Sequence, residues 1–284
     1  MLKFKKYILL SLLLFPAILF AQNGGLDTVE TGVSVSPSNM HFNAKPGSTQ
    51  TKTIKITNDT RATKKFELNL SDYGELTNDG KTQGEVTPDF KYALSKWLSI
   101  SPTYVEVPPM EAKTITVTLD VPNGDTAAIA AWTMITVDQV KATKKSLELP
   151  DGASNAVGMG VNQVFGFGIY VYQNPPNVVN NKVEINSLKY NAGTGKIPNQ
   201  ILMGVKNSGD GIGFCNYYIE ITNLNSGKTE KISVKRFTIL PGYSRELKFD
   251  LPNYFQPGKY SSVAVLDFGS KDDLQTGELD FEVK

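Results

Sequence analysis

Apolar and polar residues alternate along most of this chain. Phe66, Leu68 and Leu70 fall on one phase and Glu67, Asn69 and Ser71 on the other. That period of two marks a sheet with one face on a core and one toward water. The same rhythm, rich in Thr, Val, Ile and Phe, predicts strands over 33–42, 51–57, 65–71, 97–101, 104–107, 113–121, 130–140 and 161–172. A second set follows at 182–188, 201–206, 214–224, 228–237, 245–251, 259–268 and 279–283. Gly, Pro, Asn and Asp punctuate the joints, and helical spacing is nearly absent. Two long polar stretches interrupt the pattern: 74–96, with one helical turn expected near 89–96, and 141–160.

One supersecondary unit occurs twice. Leu119-Asp120-Val121-Pro122-Asn123 and Phe249-Asp250-Leu251-Pro252-Asn253 each close an alternating strand. Each strand follows a proline turn, Val107-Pro108-Pro109 or Leu240-Pro241-Gly242, and each leads into another apolar strand. Gln173-Asn174-Pro175-Pro176-Asn177 lies between the copies and reads as a linker, because two prolines cannot continue a central strand. The expectation is an all-β chain of two tandem immunoglobulin-like β-sandwiches, over residues 33–174 and 178–284.

The N-terminus has a different character. Lys3, Lys5 and Lys6 precede an apolar run from Tyr7 to Phe20, and Ala21-Gln22 offers a small residue for cleavage. Residues 1–21 therefore read as a secretory signal, and their apolar run is short for a membrane span. The expected location is the periplasm or the extracellular space, with no membrane span after cleavage. Without residues 1–21 the balance is 26 basic against 28 acidic side chains. So even a balance provides no footprint for nucleic acid.

Candidate chemistry is sparse. Cys215 is the sole cysteine, so no intrachain disulfide can form, and its phase with Tyr217, Ile219 and Ile221 points it inward. A hydrolytic triad or a zinc site needs more histidine or cysteine than the single His41 and Cys215 provide. Asn78-Asp79-Gly80 and Asn207-Ser208-Gly209-Asp210-Gly211 faintly match calcium loops. With one Asp each, they suit plain turns better. Glu67, Glu106 and Asp120 fall on outward phases. No enzyme, no cofactor and no metal is expected.

Residues 33–175 resemble the N-terminal domain of PapD-like periplasmic chaperones. The resemblance rests on Val33-Ser34-Val35-Ser36-Pro37, on Ile54-Lys55-Ile56-Thr57-Asn58 with its strand-ending Asn, and on Val107-Pro108-Pro109 before a middle strand. It extends to the long hairpin 131–172 ending at Pro175. That family lends alternating apolar side chains of its last strand to an incomplete pilus subunit, a case of strand addition. The corresponding residues here are Val161, Gln163, Phe165, Phe167, Ile169 and Val171. The same residues also suit this domain's own core, and the two uses are compatible along so long a strand. Where that family anchors its client's carboxylate with a basic pair, this chain has Pro37-Ser38-Asn39 and Tyr170. Residues 70–80 and 127–137 also resemble WxL-interacting surface proteins, and the second domain resembles bacterial adhesion-associated Ig modules.

Together these readings imply a non-enzymatic, exported protein that binds a periplasmic or cell-surface partner, pilin-like or adhesin, by strand addition. The strand at 161–172 has no Lys or Pro to blunt it as an edge. The alternative is a cell-surface adhesin or a glycan- or peptidoglycan-binding protein, with Tyr217, Tyr218, Tyr243, Tyr254 and Phe255 as exposed rings for stacking on sugars. Oligomeric state is not legible.

Overall fold

The computed structural model describes residues 32–76, 82–83, 86–87, 89–140, 164–176, 180–270 and 273–284. The signal-like segment 1–21, the loop 141–160 and the residues Val161 and Gln163 lie outside them. Among the described residues no helix is long and apolar enough to cross a membrane.

Two β-sandwiches account for the described strands, as the alternation predicts. The first is built from β1 (Val33–Ser36), β2 (Asn39–Phe42), β3 (Thr49–Asn58), β4 (Lys64–Ser71), a small hairpin of β5 (Glu75–Leu76) and β6 (Thr82–Gln83), β7 (Leu98–Ser101), β8 (Tyr104–Val107), β9 (Glu111–Asp120), β10 (Ala131–Gln139) and β11 (Gly166–Gln173). Its sheets run β1-β3-β9-β7 and β2-β11-β10-β4-β8. Ile54, Ile56, Phe66, Leu68, Ile115, Val117, Ile135 and Val171 meet between them. The second contains β12 (Val183–Asn191), β13 (Gln200–Asn207), β14 (Gly213–Asn223), β15 (Thr229–Ile239), β16 (Ser244–Asp250), β17 (Gly258–Asp267) and β18 (Gln275–Val283). Its sheets run β12-β13-β16 and β15-β14-β17-β18 around Ile201, Met203, Ile219, Phe249 and Leu266.

The run at 33–42 is not one strand. It breaks at Pro37-Ser38, and the chain changes sheets: β1 pairs with β3, whereas β2 pairs in parallel with β11. Proline lacks the N–H that a continuous ladder would require at that point. The expected helical turn near 89–96 is a short 3-10 helix, Ser95–Trp97.

A third apolar cluster joins the two sandwiches. Trp132 and Tyr172 project from the outer face of the first domain's larger sheet. They pack with Tyr73, Ala130, and Ile212 and Leu240 of the second domain. The segment ahead of β7 folds onto this face as well: Tyr92 stacks on Trp132 at 4.5 Å and Phe90 meets it edge-on at 5.7 Å. The Trp132 indole N–H donates to the Tyr73 carbonyl at 2.8 Å. At the linker, the Asn174 side chain accepts from the Ile212 N–H at 3.2 Å and donates to the Ile212 carbonyl at 3.4 Å.

Candidate functional site

β11 is the element on which the sequence reading centres. Residues Tyr170 to Gln173 are paired on both sides, by β10 and by β2. The expectation of one long open edge is corrected here: β2, having crossed over after Pro37, covers this half. The other half is different. From Gly166 to Ile169 the strand pairs with β10 alone, and no strand among the described residues lies on its other side.

Backbone geometry shows which groups are open. In a strand the N–H and C=O of one residue point to one side and those of the next to the other. The Tyr170 N–H donates to the Ser38 carbonyl and the Asn174 N–H to the Phe42 carbonyl, so even-numbered residues face the β2 side. The Gln139 N–H donates to the Phe165 carbonyl, so odd-numbered residues face β10. The backbone groups of Gly166 and Gly168 therefore point at the open side. A Cβ on Gly168 would stand 2.8 Å from the Met134 sulfur and one on Gly166 3.3 Å from Asp138 Oδ1, so both glycines make room for side chains of β10.

The odd-numbered side chains form a graded series. Ile169 and Val171 are fully buried in this domain's own core. Phe165 and Phe167 are only half-buried, packed at the core's margin, with parallel rings 6.3 Å apart. The Lys64 ammonium sits 5.7 Å from the Phe165 ring centroid. Val164, just ahead, is exposed. Gly32, whose φ of 88° turns the chain into β1, lies against the same ring: a Cβ there would stand 3.7 Å from Phe165 Cε1 and Cζ. β1 is itself an edge strand with Val35 half-buried at the core margin. The open half of β11 thus lies beside a second strand that is an edge among the described residues. This pairing of edges is what sequence reasoning missed, and Pro37 was its one visible signal.

The remaining candidates fall elsewhere. Cys215 is buried in β14 with Tyr217, Ile219 and Ile221. Burial, with a smaller contribution from Asp267, pushes its thiol up to about 12, so it is an inert thiol. His41 is solvent-exposed on β2, its ring 4.5 Å from Phe214 and 5.4 Å from Tyr172. Desolvation by these neighbours, and then the charge of Lys52, lowers its pKa. Asn207 spends its side chain within the protein: the amide donates to the Gly211 and Ile239 carbonyls and the oxygen accepts from the Gly209 N–H. The loop's first calcium-like oxygen is thereby used.

The set of exposed rings needs correction. Tyr217 is buried, because it shares the inward phase of Cys215. Tyr218 lies under the Lys231 ammonium at 3.4 Å. Tyr243 packs on the interdomain cluster and Phe255 on the second core. Tyr254 alone of the five is strongly exposed, at 62%.

No protein-family model matches the chain, and no curated protein matches it in sequence. Among solved structures it is similar to the class 5 fimbriae chaperone CfaA, at 14% identity over 88% of this chain and 98% of that one, with a TM-score of 0.43. The Escherichia coli chaperone DraB is similar at 16% identity over 89% of this chain and 96% of that one, TM-score 0.41. The Pseudomonas aeruginosa CupB2 chaperone stands at 12% identity over 88% of this chain and all of that one, TM-score 0.40.

Proposed function

We propose that this protein is an exported, non-enzymatic binding module that assists the assembly or display of a periplasmic or cell-surface partner protein, pilin-like or adhesin, by strand addition at the open half of β11. One observation carries the reading. Gly166 and Gly168 direct N–H and C=O groups that no strand among the described residues pairs, beside the half-buried rings of Phe165 and Phe167. Backbone pairing supplies affinity in such an arrangement, and pockets beside alternate side chains supply selectivity. Ile169 and Val171 serve the domain's own core, so the partner's strand would be held by the two phenylalanines and would stop where Ser38 already bonds Tyr170. Export rests on the lysine-led apolar run of residues 1–21.

A photo-crosslinking residue placed at position 167 in cells tests this directly, with Thr116 on the exposed face of β9 as the control position. The reading requires one dominant protein adduct from 167 and none from 116. Adducts of equal yield from both positions, or from neither, would refute it.

A further inference from the structure

Far from β11, the second sandwich carries a small cavity of about 140 Å³ at the end of the β14–β15 hairpin. Ile221 and Tyr260 form its buried floor, Tyr254 and Phe255 its wall, and Lys228 and Glu230 its polar rim. The three rings step outward: Tyr260 to Phe255 at 5.2 Å, and Phe255 to Tyr254 at 5.7 Å.

The exposed Tyr254 ring is not loose. Its hydroxyl donates to Glu230 Oε2 at 2.8 Å, while Lys228 Nζ donates to Glu230 Oε1 at 2.7 Å. An aromatic platform fixed in this way loses little freedom when a ligand stacks on it. The rim charges are opposite and paired, so neither an anion nor a cation is favoured. Yet the ammonium keeps two further N–H donors, and each carboxylate oxygen keeps a lone pair. Apolar ring face beside adjacent donors and acceptors is the chemistry of a sugar ring, with its C–H face and neighbouring hydroxyls. The volume is well below the roughly 300–1,000 Å³ of clefts for drug-sized ligands, which limits the occupant to a single ring.

We infer that this cavity is a saccharide-binding site that takes one neutral pyranose unit, stacked on Tyr254 and hydrogen-bonded to Lys228 and Glu230. It is independent of the strand-addition surface, so either can fail without the other.

The test is a two-dimensional amide NMR titration of the mature chain with methyl β-glucoside, N-acetylglucosamine and, for comparison, N-acetyl-tyrosinamide. Saturable shifts confined to residues 221–230 and 254–260, with a midpoint on the order of millimolar, are expected for at least one sugar. Tyr254→Ala is expected to weaken binding about tenfold or more and Tyr254→Phe by less, since the latter keeps the ring. Because Tyr254 is exposed, both variants should retain the native spectrum elsewhere. Three results would overturn the proposal: no saturable shift for either sugar, unchanged affinity in Tyr254→Ala, or tighter binding of N-acetyl-tyrosinamide than of both sugars.

Discussion

Asn58 and Asn207 occupy equivalent positions in the two sandwiches. Each is fully buried at the end of its strand, β3 or β13, and each donates its amide to the carbonyl that enters a proline turn, Val107 in one and Ile239 in the other. Each also accepts a backbone N–H two residues on, from Thr60 or Gly209. The proline turns that mark the repeat in the sequence are thus tied down by a matching asparagine. The duplication extends from pattern to hydrogen bonding.

Removing either amide leaves buried carbonyls and an N–H without partners, at about 1–3 kcal/mol for each group. Asn58→Ala and Asn207→Ala are each expected to destabilise their own domain by about 2–4 kcal/mol. Chemical denaturation followed separately in the two domains would measure this. A loss under ~0.5 kcal/mol for either variant would show that the asparagine is dispensable.

Trp132 should matter for the joint between the two sandwiches. It is fully buried between Tyr92, Phe90 and the interdomain cluster. Trp132→Ala is expected to cost about 3–5 kcal/mol and to loosen the two domains. Small-angle scattering would register the loosening as an increased radius of gyration. An unchanged scattering curve would place the joint's stiffness elsewhere.

Cys215, with its thiol pushed up to about 12 by burial, should resist a thiol reagent at neutral pH until the second sandwich unfolds. Rapid labelling of the native protein would contradict the inward phase of β14.

His41 is expected to titrate below 6.5, since its neighbours disfavour the charged ring. The unfolded chain therefore takes up this proton first as pH falls. The associated stability is complete above about 6.5 and is lost as pH drops through the lowered folded value. The effect should be small, because the ring is exposed. An NMR titration measures it, and a folded value above 6.5 would reverse the sign.

Much of this was legible in the alternation. The inward phase of Cys215 follows from a period of two, and the two-sandwich count from the repeated proline-turn unit with a linker between its copies. The sheet change at Pro37 was readable in principle, because proline cannot continue a ladder, but the apolar rhythm runs on to Phe42 and hides it. The interdomain face was harder to see. Trp132, Tyr170 and Tyr172 lie on the phase opposite the core residues, a sign that β10 and β11 are covered on both sides. The covering element itself comes from distant segments that local pattern cannot assign. Tyr217 is buried, as the phase of its own strand requires, and so does not belong among the exposed rings.

Phe167→Glu is expected to abolish partner capture while the second sandwich stays folded. Phe167 is half-buried at the margin, so the charge can reach water. A protein whose first domain unfolds outright would show that Phe167 is ordinary core.

The most direct measurement is amide hydrogen exchange along β11. In the free protein the Gly166 and Gly168 N–H groups should exchange fast. Tyr170, bonded to the Ser38 carbonyl at 3.1 Å, should be slow. On addition of the crosslinked partner in purified form, both glycine amides should become protected together, with Tyr170 unchanged. Glycine amides already protected in the free protein, or unaffected by the partner, would contradict strand addition at this edge.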